Sequence, residues 1–210
     1  MTNGGVQWER RTSERASVGL GVVSTWYSSS GPTFTNDVVT VGPALTLRYE
    51  LSQTLSCVAE ASYRQRTSDQ VFFDVVELTD TSEDYFGSLR VEREFERGFL
   101  QIEASRNLLP GSSGQQEIRD RASVALGYEL SARTSMHLSG IVLRDRADQS
   151  VRDDERRGFA GDASINRELS ERLAFNAAYR YLWQDGSDDD NEARGHSVVI
   201  GLTWVIGVGS

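Results

Sequence analysis

Leu173-Ala174-Phe175-Asn176-Ala177-Ala178-Tyr179-Arg180-Tyr181 is the stretch whose reading decides the fold. Leu173, Phe175, Ala177, Tyr179 and Tyr181 are apolar or aromatic, and Asn176 and Arg180 between them are polar. A spacing of two puts these sets on opposite faces of a strand, whereas an amphipathic helix repeats at three and four. The same alternation runs through Leu45, Leu47, Tyr49 and through Leu55, Cys57, Ala59, Ala61, Tyr63. It returns in Tyr85, Leu89, Val91, in Ala122, Val124, Leu126, Tyr128, in Phe159, Ala163, Ile165, and in Val198, Ile200, Leu202, Trp204. The strands it predicts are about 10 to 13 residues long, against five or six in ordinary sheets.

Between the strands, short and long connections take turns. One short phrase recurs: Tyr49-Glu50-Leu51-Ser52-Gln53-Thr54, Tyr128-Glu129-Leu130-Ser131-Ala132-Arg133 and Arg167-Glu168-Leu169-Ser170-Glu171-Arg172, with relatives at Arg11-Thr12-Ser13-Glu14 and Phe95-Glu96-Arg97-Gly98. Its Glu-Leu-Ser copies at 50, 129 and 168 are two units and one unit of a period of about 40 residues apart. The stretches 29–36, 67–82, 109–116, 147–157 and 185–192 read as long loops, acidic or rich in Gly and Ser. Ten full strands are expected, at 16–28, 37–50, 55–66, 84–95, 99–107, 118–130, 134–146, 158–169, 173–184 and 194–206. Gly5–Arg10 reads as the end of another, cut short, which suggests more barrel upstream. The expectation is therefore a single all-β domain over 1–210, with a partial strand and turn in 1–15. Its architecture is an up-and-down antiparallel transmembrane β-barrel of about 10–12 strands, short turns at one end and long loops at the other.

Composition bounds this reading. The 210 residues are 38% hydrophobic and 25% charged, with a net charge of −9, and every basic residue is arginine. An acidic chain without a basic stripe does not suit nucleic acid. The longest nearly apolar run, Val198–Gly209, is broken by Thr203 and falls short of the roughly 20 residues a spanning helix needs. Recurring Leu, Val, Ile and aromatics exclude a disordered chain. A barrel wall needs only every second residue apolar, so this hydrophilic total is compatible with it. The start, MTNGGVQWERR, has no signal peptide. Taken alone that suits a cytoplasmic protein, or else a mature or partial chain. Cys57 is alone, so no intrachain disulfide is available and the redox compartment is not legible.

Each face of the expected sheet carries a candidate function. Trp26, Tyr63, Tyr85, Tyr181 and Trp183 fall near the long-loop ends, and Tyr49, Phe95, Phe99, Tyr128 and Phe175 near the short turns. With Tyr179 and Trp204 they form the aromatic girdles of a membrane barrel. The plainer alternative is that aromatics simply favour strands. The opposite face would line the lumen with Arg48, Glu60, Arg64, Arg90, Glu92, Glu103, Arg119, Arg121, Glu129, Asp162 and Arg180. Arginine forks pair well with carboxylates or anionic solutes, so this set either lines a hydrated passage or plugs a narrow one with ion pairs. Catalytic signals are weak. His137 and Ser139 share a face, the pattern an outer-membrane lipid hydrolase would need, but such neighbours are common by chance. Gly111–Gly114 lacks the strand-to-helix context of a nucleophile elbow, and Asp188–Glu192 lacks the spacing of a calcium loop. No enzyme activity, cofactor or metal is expected.

Ser105-Arg106-Asn107-Leu108-Leu109-Pro110-Gly111-Ser112-Ser113-Gly114, followed by Arg119-Asp120-Arg121 and taken with the Tyr-Glu-Leu-Ser-x-Arg turns, resembles the outer-membrane β-barrel porins of Gram-negative bacteria. Among these it looks like the barrels found with exopolysaccharide and exosortase systems. The resemblance covers about 16–204. It implies a location in the outer membrane, contact with its lipid and lipopolysaccharide, and polysaccharide or small-solute cargo, with no catalytic residues to carry over. Two departures are the missing signal peptide and a last strand that runs past Trp204, where such barrels usually end on an aromatic.

Overall fold

The computed structural model describes residues 2–30, 34–72, 76–110, 116–147, 155–186 and 192–204. They form β1 (Thr2–Ser13), β2 (Ala16–Ser30), β3 (Phe34–Ser52), β4 (Leu55–Phe72), β5 (Val76–Phe95), β6 (Gly98–Pro110), β7 (Gln116–Ser131), β8 (Thr134–Ala147), β9 (Glu155–Ser170), β10 (Leu173–Asp185) and β11 (Ala193–Trp204). All eleven lie in one sheet in chain order, each antiparallel to the next, so the expected up-and-down architecture and strand number hold. Among the described residues β1 and β11 are each paired on one side only. Because the count is odd, these two edge strands run in the same direction.

The strands are longer at the loop end than the alternation indicates. Of the residues 67–82, expected as a loop, 67–72 and 76–82 instead continue β4 and β5, whose pairing runs on to Phe72 opposite Val76. Its apolar residues, Val71, Phe72, Val76 and Leu78, are too few among Ser, Asp, Gln and Glu to mark a period of two, but Thr67, Thr79 and Thr81 are β-branched and favour extended backbone. Likewise β1 is a strand of 12 residues rather than the short remnant expected at Gly5–Arg10. The expected continuation of the last strand beyond Trp204 lies outside the described residues, as do Gly111–Gly114 and most of the Asp188–Glu192 run.

The recurring turn phrase has a local mechanism. The Ser13, Ser52, Ser131 and Ser170 hydroxyls accept the backbone N–H two residues on, from Arg15, Thr54, Arg133 and Arg172. Such a hydroxyl mimics a backbone turn and holds the two-residue connection. Neighbouring turns are also tied together: the backbone N–H groups of Glu50, Glu94, Glu129 and Glu168 donate to the carbonyls of Arg15, Thr54, Arg97 and Arg133.

Burial is inverted relative to an ordinary sheet. Along β3 the apolar face is exposed, as at Val39, Val41, Leu45 and Leu47, while Asn36, Val38, Thr40 and Thr46 on the polar face are buried. Val38 and Phe86 are the only buried hydrophobic residues among those described, whereas Val6 is 81% exposed and Trp204 73%. The polar face is the concave one: Gln7 Nε2 donates to Thr46 Oγ1 at 3.2 Å and Glu9 meets Arg48 at 3.7 Å, both reaching over β2. Strands two apart are roughly 9.6 Å from one another in a flat sheet, a gap that these long side chains bridge on the face where small side chains such as Thr40 are also buried.

The outward aromatics measure the tilt. A cross-sheet row starts at Tyr49 and runs through Cys57, Val91, Ile102, Val124, Gly140 and Gly161 to Tyr181 and His196. It leaves the turn-end ring on β3 and arrives in the loop-end ring on β10. On β11 the turn-end ring is at Trp204, eight residues beyond His196. Eight residues over eight strand steps gives about 3.4 Å along for every 4.8 Å across, a tilt of roughly 35°. Tyr85 and Phe95 are ten residues apart on β5, and Phe175 and Trp183 eight apart on β10. At that tilt the rings enclose an apolar band roughly 25 Å tall, the height and inclination of a membrane-spanning barrel wall.

Gly42 marks a close approach of β3 and β4. Pairing is interrupted between Val41–Gln65 and Ala44–Ser62, beside Pro43, which has no N–H to offer the ladder. A Cβ on Gly42 would lie 1.8 Å from the Tyr63 carbonyl oxygen, whereas one on Gly4 meets nothing within 4 Å. Gly42→Ala should therefore cost about 2 kcal/mol or more. Gly4→Ala should leave the urea midpoint of the detergent-folded protein unchanged; equal midpoints for the two variants would contradict this packing.

Candidate functional site

Register places all eleven residues named for the polar face together on it. Arg48, Glu60, Arg64, Arg90 and Glu92 come from β3–β5, Glu103, Arg119, Arg121 and Glu129 from β6 and β7, and Asp162 and Arg180 from β9 and β10. Several become cross-strand pairs. Arg119 holds Asp145 through a two-pronged contact, Nε to Oδ1 at 2.6 Å and Nη2 to Oδ2 at 2.7 Å. Arg90 pairs with Glu103 at 2.9 Å and Arg180 with Asp162 at 2.5 Å. Glu60 accepts from Ser88 at 3.5 Å, and Arg64 lies over the Phe86 ring at 5.0 Å. A planar guanidinium opposite a carboxylate on the next strand locks register as well as charge.

The concave face is not uniform. Over β3–β5 it is packed: Asn36, Val38, Thr40, Arg66, Ser68 and Phe86 are all buried there. Thr40 Oγ1 and Arg64 Nε are buried without a hydrogen-bond partner, the kind of atom that water or a passing polar solute satisfies. Over β8–β11 the same face is open, with a cavity of about 470 Å³ bordered by His137, Ser139, Asp162, Ser164, Arg180 and Ser197. His137 and Ser139 thus point to the polar side. His137 stands opposite Ser164, and Ser139 opposite Asp162, whose carboxylate is taken by Arg180.

All nine girdle residues named from the sequence occupy the convex, apolar face. Tyr49, Tyr128 and Trp204 lie toward the turns, and Trp26, Tyr63, Tyr85, Tyr181 and Trp183 toward the loops. Tyr179 falls between the rings and reaches His196 Nδ1 with its hydroxyl at 2.7 Å. Phe99 departs from the expectation. It shares the concave face with Gly127 and His137, its ring 6.3 Å from the imidazole, because its parity is that of Gln101 and Glu103 rather than of Leu100 and Ile102.

One group escaped the sequence reading. Arg106, Asp120, Arg144, Arg146, Glu155 and Arg157 belong to the convex face at the loop end of β6–β9. Their signal was parity, since Arg106 follows Ile102 and Ala104 by twos, and Arg144 and Arg146 follow Leu138 and Val142. Glu155 accepts from Arg144 at 2.6 Å and from Arg157 at 2.5 Å. Hydrogen bonding from Arg144 and then Arg157 holds its carboxyl down at about 2. Glu192 is likewise held below the usual range, first by the Trp183 indole N–H and then by Arg194. A depressed carboxyl contributes its stabilisation above the ordinary glutamate range and loses it as pH falls through the folded value. Both Glu155 pairs should therefore persist from neutral pH to about 3. Carboxyl-resolved NMR titration of the folded protein should place the Glu155 midpoint near 2, and Arg144→Gln should move it up toward the ordinary range. An ordinary midpoint in the unsubstituted protein would contradict the geometry.

No family model matches the chain, and no curated protein matches it. Among solved structures it is similar to the translocator domain of the autotransporter NalP from Neisseria meningitidis, at 13% identity and a TM-score of 0.45 over 97% of this chain and 79% of that one. It is also similar to the CymD monoaromatic hydrocarbon channel, at 9% identity and a TM-score of 0.38 over 95% and 72%. Likeness at this level carries no functional information about this chain.

Proposed function

We propose that the chain is an outer-membrane β-barrel of a Gram-negative bacterium, working as a porin-like channel or export component. The observation that carries this reading is the inverted burial: a continuous convex wall of exposed Leu, Val, Ile and aromatic residues backs a concave face of paired charges. In water such a wall would be a severe aggregation liability, whereas in hydrocarbon it is the stable arrangement. Strands of 12 to 20 residues exceed what the bilayer requires and carry the sheet beyond it at the loop end. Polysaccharide is the cargo implied by the resemblance of the turn phrases and the 105–121 segment to the barrels found with exopolysaccharide systems. The chain is not read as an enzyme: a hydrolase acting on membrane lipid needs its nucleophile on the lipid side, and His137 and Ser139 stand on the other.

The packed cluster around Thr40 and Phe86 favours a second reading, a scaffold barrel with a closed interior. Two measurements separate the readings. Folded protein extracted from membranes should migrate as a heat-modifiable band, and in planar bilayers it should conduct ions in discrete steps. A heat-modifiable protein that does not conduct supports the scaffold; one with no heat-modifiable form contradicts the barrel itself.

A further inference from the structure

One patch of the concave face breaks the parity that holds elsewhere. A cross-sheet row runs from Ser123 through Ile141 and Ala160 to Leu182, and the next one from Arg121 through Leu143 to Gly158. Ile141, Leu143, Ala160 and Leu182 therefore place an aliphatic island on the polar side of β8–β10. Charged rows border it on both sides. Arg119, Asp145 and Arg156 stand toward the loops, and Ser139, Asp162 and Arg180 toward the turns. A cavity of about 280 Å³ lies over the island, bordered by Leu143, Gly158, Ala160 and Leu182 together with Asp145 and Arg156. Its room is not a by-product of sheet packing. A Cβ on Gly158 would meet the Trp183 carbonyl oxygen at 3.6 Å and Leu143 Cβ at 4.0 Å, both ordinary contacts. One on Gly195, opposite Leu182, would meet nothing within 4 Å. Glycine inside a strand weakens it, so these two keep the floor clear at some cost in stability.

Charge at the rim selects the occupant. Arg156 stands opposite Asp145, but Arg119 holds both oxygens of that carboxylate, at 2.6 and 2.7 Å. Asp162 is held by Arg180, and Glu117 adjoins Arg119 on β7. Among the described residues neither Arg156 nor Arg121 is in an ion pair, and both are exposed. They lie on β9 and β7, two strands and roughly 9.6 Å apart, a span that two arginine side chains close over Leu143 and Gly158. A concave apolar floor with a few convergent polar groups is the usual form of a small-molecule site. This floor is aliphatic and offers no aromatic face to a sugar ring. A small amphipathic carboxylate fits: its tail removes Leu143, Ala160 and Leu182 from water, and its head accepts from the guanidinium forks. We propose that the concave wall of β8–β10 binds small amphipathic carboxylates, with Arg156 as first anion partner and Arg121 as second. The inference goes beyond the polysaccharide cargo; it rests on the barrel reading but not on conduction.

The test uses the full chain folded in detergent and checked for heat-modifiable migration, with hexanoate as the probe in equilibrium dialysis against protein-free micelles. Hexanoate should bind saturably. Hexanamide, which lacks the charge, and acetate, which lacks the tail, should each bind about tenfold or more weaker. Arg156→Gln should weaken hexanoate binding about tenfold, and Gly158→Leu, which fills the floor, should abolish it. Arg156→Leu should reverse the preference, so that hexanamide binds better than hexanoate, a reversal that misfolding cannot imitate. Unchanged hexanoate binding in Arg156→Gln or in Gly158→Leu overturns the site. Equal binding of hexanamide overturns the anion partner, and equal binding of acetate overturns the apolar floor. If these outcomes appear in a heat-modifiable sample, only this proposal fails; a sample without that behaviour overturns the barrel reading and this site with it.

Discussion

A pleated strand gives each residue one of two faces, and the whole of this structure depends on that parity. Antiparallel pairing satisfies the backbone along the ladder, so side chains are free to divide into two sets. Here the sets are assigned opposite to a soluble sheet: the apolar set turns outward and the polar set inward. A slip of one residue between neighbouring strands would exchange the faces and bring Arg119 and Asp145 into the wall and Val124 into the interior. Register therefore needs strong enforcement, and the structure supplies it at both ends.

At the turn end the enforcement is local. Ser13, Ser52, Ser131 and Ser170 hold two-residue connections, and backbone bonds from Glu50, Glu94, Glu129 and Glu168 tie each turn to its neighbour. Over the middle and loop end the enforcement is electrostatic, through Arg90–Glu103, Arg119–Asp145 and Arg180–Asp162 on one face and the shared Asp120 and Glu155 on the other. Each such pair contributes little alone, on the order of 1 kcal/mol where exposed, but each also disfavours a slipped partner. The absence of lysine suits this role, because a planar fork fixes the position of the opposing carboxylate better than an ammonium can.

Much of this was legible in the residues themselves. Alternation located the strands wherever one set was apolar, and the Glu-Leu-Ser repeats located the short turns together with the Ser that holds them. The polar-face residues were legible by parity, and so were the two aromatic bands. Three features were not. The extension of β4 through 67–72 and of β5 through 76–82 is mostly polar, with Val71, Phe72, Val76 and Leu78 too few to set a period of two, so pairing decides there. The burial of Val38, Thr40 and Arg66 depends on how tightly the sheet curls, which no local pattern encodes. The outward arginines at 106, 144, 146 and 157 lie on three different strands, and only the register brings them into one cluster with Asp120 and Glu155.

Parity across the bilayer is the central claim, and residue-by-residue accessibility along β5 tests it directly. With Cys57 replaced by Ala, single cysteines at 85 to 92 would carry a nitroxide label in lipid vesicles, and its exposure to oxygen and to a water-soluble relaxant would be measured. Labels at 85, 87, 89 and 91 should be oxygen-accessible and shielded from the aqueous relaxant, and those at 86, 88, 90 and 92 should show lower oxygen access. The opposite phase, or no period of two, would contradict the account.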